Sequence, residues 1–214
     1  MQLPPLTDLV ALLGIDLVLC AACSRLLCHG PVMPSWSRWL LAAIFTGLWL
    51  PVGPAHIPVL AYIRGVSSDL SVTLVLLSCV GLTRRLRSLP VPAGAERTSI
   101  LVVVAVAALL LYPAALGWGD LDTYRPGCGS AVMLLVLLVL CIACWFRGLS
   151  LLPLLISAAM LAWTAGLMES SNLWDYLLDP WLAATAWVHC VRTGIMKMFN
   201  CGKPPRGSVV ALGS

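Results

Sequence analysis

Apolar positions in this chain run in long stretches rather than alternating singly with polar ones, and proline, glycine and clustered charge separate the stretches. They read as helices over Pro5–Leu27, Trp36–Val52, Asp69–Leu82, Ser99–Leu116, Ser130–Phe146, Leu149–Met168 and Pro180–Asn200. The third is short unless the apolar stretch before it is added. Arg147–Gly148 leaves room only for a tight turn, which makes the fifth and sixth stretches antiparallel neighbours.

Most of these stretches approach the roughly 20 apolar residues that one membrane crossing needs. Composition agrees. Of 214 residues 60% are hydrophobic and 10% charged, with a mean hydropathy of +0.97, whereas a soluble domain carries about 25% charge. That deficit excludes a soluble globular fold, a disordered chain, a nucleic-acid-binding domain and a secreted disulfide scaffold. The expectation is an all-α, polytopic transmembrane helical bundle of about seven spans over residues 1–201, followed by a flexible cytoplasmic tail over 202–214.

Charge orients the bundle. With the N-terminus outside, the inner segments hold Arg25, Arg38, Arg84, Arg85, Arg87, Arg97, Arg147, Arg192, Lys197, Lys203 and Arg206 against one acid, Glu96, a net +10. The outer loops hold Arg64 and Arg125 against Asp69, Asp120, Asp122, Glu169, Asp175 and Asp179, a net −4. Basic residues resist translocation, so the C-terminus is expected in the cytoplasm. The first stretch lacks a basic leader, starts at a Pro4–Pro5 pair and runs into Arg25, and so reads as an uncleaved anchor. Basic residues that are almost all Arg, with Asn only at Asn172 and Asn200, have the bias of a GC-rich bacterial genome. The membrane expected is therefore a bacterial inner membrane.

Candidate chemistry gathers on the outer side. The segment Gly53–Ser68 is too apolar for a solvated connection, carries His56 and Arg64, and includes a possible short helix over Val59–Gly65. It reads either as a re-entrant element lining an outer-facing site or as an interfacial helix padding the bundle. In the next outer loop, Asp120 and Asp122 form a D-x-D pair, a weak cation-binding pattern common in turns, and no metal site or cofactor is expected. Tyr124 and Arg125 there suit an anionic headgroup or an ion pair with a neighbouring acid.

The last outer loop carries Glu169, Asn172, Trp174, Asp175, Tyr176 and Asp179. Asp179 before Pro180 is an N-cap followed by an N1 proline, while Trp174 and Tyr176 fit an aromatic belt. His56, Arg64, Asp120, Glu169 and Asp175 suffice for acid–base catalysis in an outer cleft. They suffice equally for an ion-pair network holding three loops together, which is the favoured reading.

Within the spans, Asp16 lies about 16 Å deep and His189 about 14 Å deep. Thr185, His189, Arg192 and Thr193 share one helix face. Intramembrane ionisable groups should be paired, so Asp16 is expected to meet His189 or Arg192, either as glue between helices or as a proton relay. Two C-x-x-C pairs, Cys20/Cys23 and Cys141/Cys144, lie inside apolar helices on the reducing side and suit packing better than redox chemistry.

The function expected is that of an accessory or subunit protein whose outer loops engage a partner protein or a lipid headgroup. The alternatives are a small intramembrane enzyme acting on an outer-leaflet lipid and a proton-coupled transporter subunit using Asp16 and His189. Membrane lipids and a membrane or periplasmic protein are the expected partners, and nucleic acid is not.

Overall fold

The computed structural model describes residues 5–28, 33–89, 94–118 and 122–201. Its architecture is an all-α bundle. Among the described residues the helices are α1 Leu6–Leu27, α2 Ser35–Gly47, α3 Val59–Ser67, α4 Val72–Arg87, α5 Gly94–Ala115, α6 Ala131–Phe146, α7 Leu151–Thr164, α8 Leu173–Leu177 and α9 Pro180–Cys201. A two-residue antiparallel hairpin, β1 Pro51–Val52 with β2 Ile57–Pro58, precedes α3 and pairs Pro51 with Pro58 and Val52 with Ile57.

Each of the seven apolar stretches contains one helix of 13 to 22 residues, and the ends differ for local reasons. The second stretch is helical only to Gly47. Pro51 lacks an amide hydrogen and Gly53 takes a φ of +69°, so the chain turns into the hairpin instead of extending α2. The third begins at Val72, where the Ser71 hydroxyl caps the Leu74 amide at 3.2 Å, and continues to Arg87. Arg84, Arg85 and Arg87 in its last turn complement the negative end of the helix dipole. The sixth ends at Thr164, with Gly166 at a φ of +62°. The tight turn at Gly148 has a φ of +69°, and α6 and α7 pack side by side across it.

Helix α1 packs on α4, α2 and α3; α5 packs on α9; and α7 packs on α4, α6 and α8. The main core is built from α5, α6, α7, α8 and α9, with Tyr176, Leu173, Ala159 and Ala186 wholly inaccessible. A smaller core joins α1 to α2 through Cys20, Cys28, Met33 and Leu41. Helix α4 touches both groups and joins them.

Two of the helical segments, Leu6–Leu27 and Glu96–Ala115, are long and apolar enough to cross a membrane by length and composition. Two more, Ala131–Phe146 and Leu151–Thr164, are apolar but shorter. Only 33% of each long apolar window is buried inside the bundle, the reverse of a core helix in a soluble protein. Helix α6 is more open still: Val132, Leu135, Val136, Leu138, Val139, Ile142, Trp145 and Phe146 all face outward. Exposed apolar residues in this number are consistent with membrane association.

Opposite charges collect at the two ends of the bundle. At one end the start of α1 meets α3 and the loop before α8 through Asp8, Arg64 and Glu169. At the other, Arg85 Nη1 donates to the carbonyls of Ser24 and Cys28 at 2.9 and 2.8 Å, closing the C-terminus of α1. Glu96 Oε1 accepts from the amides of Ser150 and Leu151 at 3.1 and 2.7 Å, capping α7 from α5.

Candidate functional site

The acidic end opens into a cavity of about 1050 Å³ between α1, α3, the end of α5, the segment before α8, and the start of α9. Its floor is set by Asp179. One oxygen of that carboxylate caps the Leu182 amide at 2.7 Å, the N-cap arrangement expected ahead of Pro180. The other accepts from the Ser71 hydroxyl at 2.5 Å and the Ser71 amide at 3.1 Å. One buried acid thereby joins the starts of α4 and α9.

Arg64, near the C-terminus of α3, forms one wall. Its guanidinium donates to three carboxylates: Asp69 at 2.6 Å, Asp8 at 2.6 Å and Glu169 at 2.9 Å. These bonds, led by those to Asp69 and Asp8, hold the guanidinium above its ordinary pKa range despite partial burial. The three acids differ in exposure. Side-chain exposure is 18% for Asp69 and 31% for Asp8 but 67% for Glu169, so Glu169 is the outermost and least constrained partner.

The opposite wall is knit from the two later loops. Tyr124 donates to Asp175 Oδ2 at 2.7 Å, and the Ser170 hydroxyl bonds to the same oxygen. Burial, then this hydrogen bond, pushes the Tyr124 phenol up to about 12, because ionisation would put two negative charges side by side. Asn172 caps α8 by accepting from the Trp174 amide at 2.9 Å, and its own amide donates to the Tyr124 carbonyl at 3.0 Å. Trp174 Nε1 donates to the Thr123 carbonyl at 3.1 Å. Asp122 accepts from the amides of Tyr124 and Arg125 and shapes the turn ahead of a 3-10 segment, Arg125–Gly127. A Cβ on Gly127 would overlap Asn172 Oδ1, so only glycine fits where the loops cross.

Of the residues singled out from sequence, Arg64, Tyr124, Glu169 and Asp175 line this cavity, while Asn172 and Trp174 support it from behind. His56 does not line it: it is exposed in the hairpin turn at a φ of +49°. Asp120 lies outside the described residues, as does the 202–214 tail. Arg125 is exposed. Tyr176 is a correction to the aromatic-belt expectation, because it is wholly buried, with its hydroxyl between the Met168 amide at 3.2 Å and the Ser170 carbonyl at 3.1 Å.

The intramembrane pairing is a second correction. Asp16 accepts from Trp49 Nε1 at 2.7 Å and from the Cys20 thiol at 3.5 Å, not from His189 or Arg192. The cause is helix order: α1 packs against α2, α3 and α4, whereas α9 packs against α5. His189 Nε2 is buried with no hydrogen-bond partner among the described residues, and Arg192 is exposed.

Sequence reasoning missed the site roles of Asp8, Asp69 and Ser71. Asp8 reads as a helix-start acid and Asp69 as a loop acid, and nothing local aims either at Arg64. The usable signal was arithmetic: outer acids outnumber outer bases, so any outer arginine had several acids to meet.

Five carboxylates, from Asp8, Asp69, Glu169, Asp175 and Asp179, thus share one cavity with one guanidinium. Leu12, Ile57, Ala61, Leu111 and Met168 supply apolar lining beside Ser67, Ser68 and Ser170. Such a site attracts a cationic group carried on an apolar body and repels anions. No protein-family model matches the chain, and neither a curated protein nor a solved structure matches it.

Proposed function

We propose that the chain is a seven-span integral protein of a bacterial inner membrane, with the N-terminus and the acidic cavity outside and the C-terminal tail in the cytoplasm. It acts as an accessory or binding subunit, and its cavity receives an amine-bearing group from a lipid headgroup or a partner protein. The observation that carries the binding role is the surplus of carboxylates in an open, half-apolar cavity whose one arginine is spent on its own acids.

The seven-span reading is supported by the presence of one helix in each of the seven apolar stretches, two of them long enough to cross, by the outward apolar faces, and by the separation of charge to opposite ends. The shorter helices are continued by apolar turn residues such as Leu48, Leu50, Leu149 and Leu167. Helices α3 and α8 lie at the outer surface and do not span.

The test has two parts. Reporter fusions after His56, Arg147 and Glu169 should read outside, inside and outside; any other order overturns the topology. Ethanolamine, a soluble amine headgroup, should raise the unfolding midpoint of the purified chain in detergent, and glycerol should not. An equal response in an Asp175→Asn, Glu169→Gln variant would overturn the binding role.

A further inference from the structure

The basic end of the bundle holds a second site. Arginines at the cytoplasmic ends of spans are an ordinary topological signal, which requires neither contact between them nor burial. Three features set this group apart.

The first is crowding. Arg85 of α4 bonds the carbonyl of Ser24, the residue before Arg25 on α1, and Arg25 also lies within electrostatic reach of Arg97 on α5. A Cβ on Gly81 of α4 would stand 3.7 Å from Arg25 Nη2, which shows the guanidinium lying along that helix. The second is an unmet donor: Arg84 Nη1 is buried with no hydrogen-bond partner among the described residues. A buried cationic N–H without an acceptor is costly.

The third is the lack of acid. Of the chain's nine acidic residues, only Glu96 falls in the segments at this end, and its Oε1 is committed to the start of α7. Arg85 is satisfied by the last carbonyls of α1, but carbonyl bonds leave its charge uncancelled. The chain cannot neutralise this cluster from its own residues. Trp36 and Trp39 are exposed near the start of α2, beside the same end of α1, and they set the level of a membrane interface.

We propose that Arg25, Arg85 and Arg97, with Arg84 next to Arg85 in the last turn of α4, form a binding site for a phosphate group, presented by an anionic phospholipid of the inner leaflet. Guanidinium forks match phosphate oxygens in pairs, and basic pockets between spans at the cytoplasmic face hold anionic headgroups. The lipid source rests on the membrane reading above; the phosphate chemistry does not.

The test uses the full chain in detergent and in nanodiscs of phosphatidylcholine with or without phosphatidylglycerol. Retained lipid is counted by native mass spectrometry, and unfolding midpoints are read with phosphatidylglycerol or inorganic phosphate added. Arg25→Gln, Arg97→Gln is the main variant, since both side chains are exposed. Removing two charges should weaken phosphatidylglycerol retention about 30-fold, at the increment typical of basic residues near an anionic surface. Arg38→Gln, Arg147→Gln, which removes the same charge at the same face outside the cluster, sets the loss due to general surface charge, and the cluster variant should lose at least about threefold more; equal losses in the two variants overturn the site.

Stabilisation by phosphatidylglycerol but not by inorganic phosphate assigns the lipid. Stabilisation by inorganic phosphate alone assigns the free ion and overturns the lipid source. Equal retention by wild type and both variants, in nanodiscs that incorporate the chain normally, overturns the site and leaves the membrane reading intact. Failure of the chain to enter nanodiscs overturns the membrane reading and leaves the phosphate arm to decide the site.

Discussion

Trp49 Nε1 donates a 2.7 Å hydrogen bond to Asp16 Oδ2 across 33 positions of sequence, tying the exit of α2 to the middle of α1. Asp16 is wholly inaccessible, and its remaining partner is the weaker Cys20 thiol. Trp49→Phe keeps most of the aromatic bulk and removes the donor, which leaves a buried carboxyl under-bonded at a cost of about 1–3 kcal/mol. Asp16→Asn keeps an acceptor for Trp49 and should cost less than about 1 kcal/mol. Unfolding midpoints in detergent would rank the two variants; a more damaging Asp16→Asn would show that the charge, rather than the hydrogen bond, holds the helices.

Arg64 is the hub of the outer wall, and its three acids are not equivalent. Arg64→Gln leaves three carboxylates facing one another, two of them partly buried, and should destabilise the chain by about 2–3 kcal/mol after allowing for their exposure. Glu169→Gln removes the most exposed partner and should cost about 0.5 kcal/mol or less. A double-mutant cycle should therefore give a larger coupling for Arg64 with Asp69 than for Arg64 with Glu169. Equal couplings would mean that exposure does not grade the network.

Tyr124 makes the outer loops sensitive to alkali. Its folded pKa of about 12 exceeds the ordinary 10.0, so folding favours the neutral phenol. Its contribution is complete below about pH 10 and is lost as pH rises through about 12, where the folded phenol also ionises. Tyrosinate absorbance of wild type minus Tyr124→Phe should show a component with a midpoint near 12. A component near 10 would mean that neither the burial of the phenol nor its contact with Asp175 persists in solution.

Gly127 is required by space rather than by backbone angle. An added Cβ would meet Asn172 Oδ1 and stand 2.6 Å from Trp174 Cδ1, two atoms already committed to the loop crossing. Gly127→Ala should cost about 1–3 kcal/mol and speed proteolysis of the 122–130 segment. Gly148→Ala, which meets nothing within 4 Å but sits at a φ of +69°, should cost about 1 kcal/mol from backbone strain alone. Similar proteolysis of the two variants would remove the steric account.

The sequence by itself determined the helices, the charge separation and some of the ends. Apolar run length, proline and glycine punctuation and the Asp179–Pro180 cap act within a few residues, and each recurs in the fold at its place in the chain. Charge sorting is equally local, since each loop carries its own sum. The tertiary structure decided which distant groups touch. Nothing in the pattern of α1 says that Asp16 faces Trp49 rather than His189, because that depends on which helix lies beside α1 and how each is rotated about its axis. Tyr176, read as an interfacial ring, is buried for the same reason: five residues of α8 turn it inward. Acids spread from position 8 to position 179 share one cavity only because α1, α3 and α9 begin or end at the same level. Local chemistry wrote the elements, and packing, through the neighbour order and rotation of the helices, selected the partners.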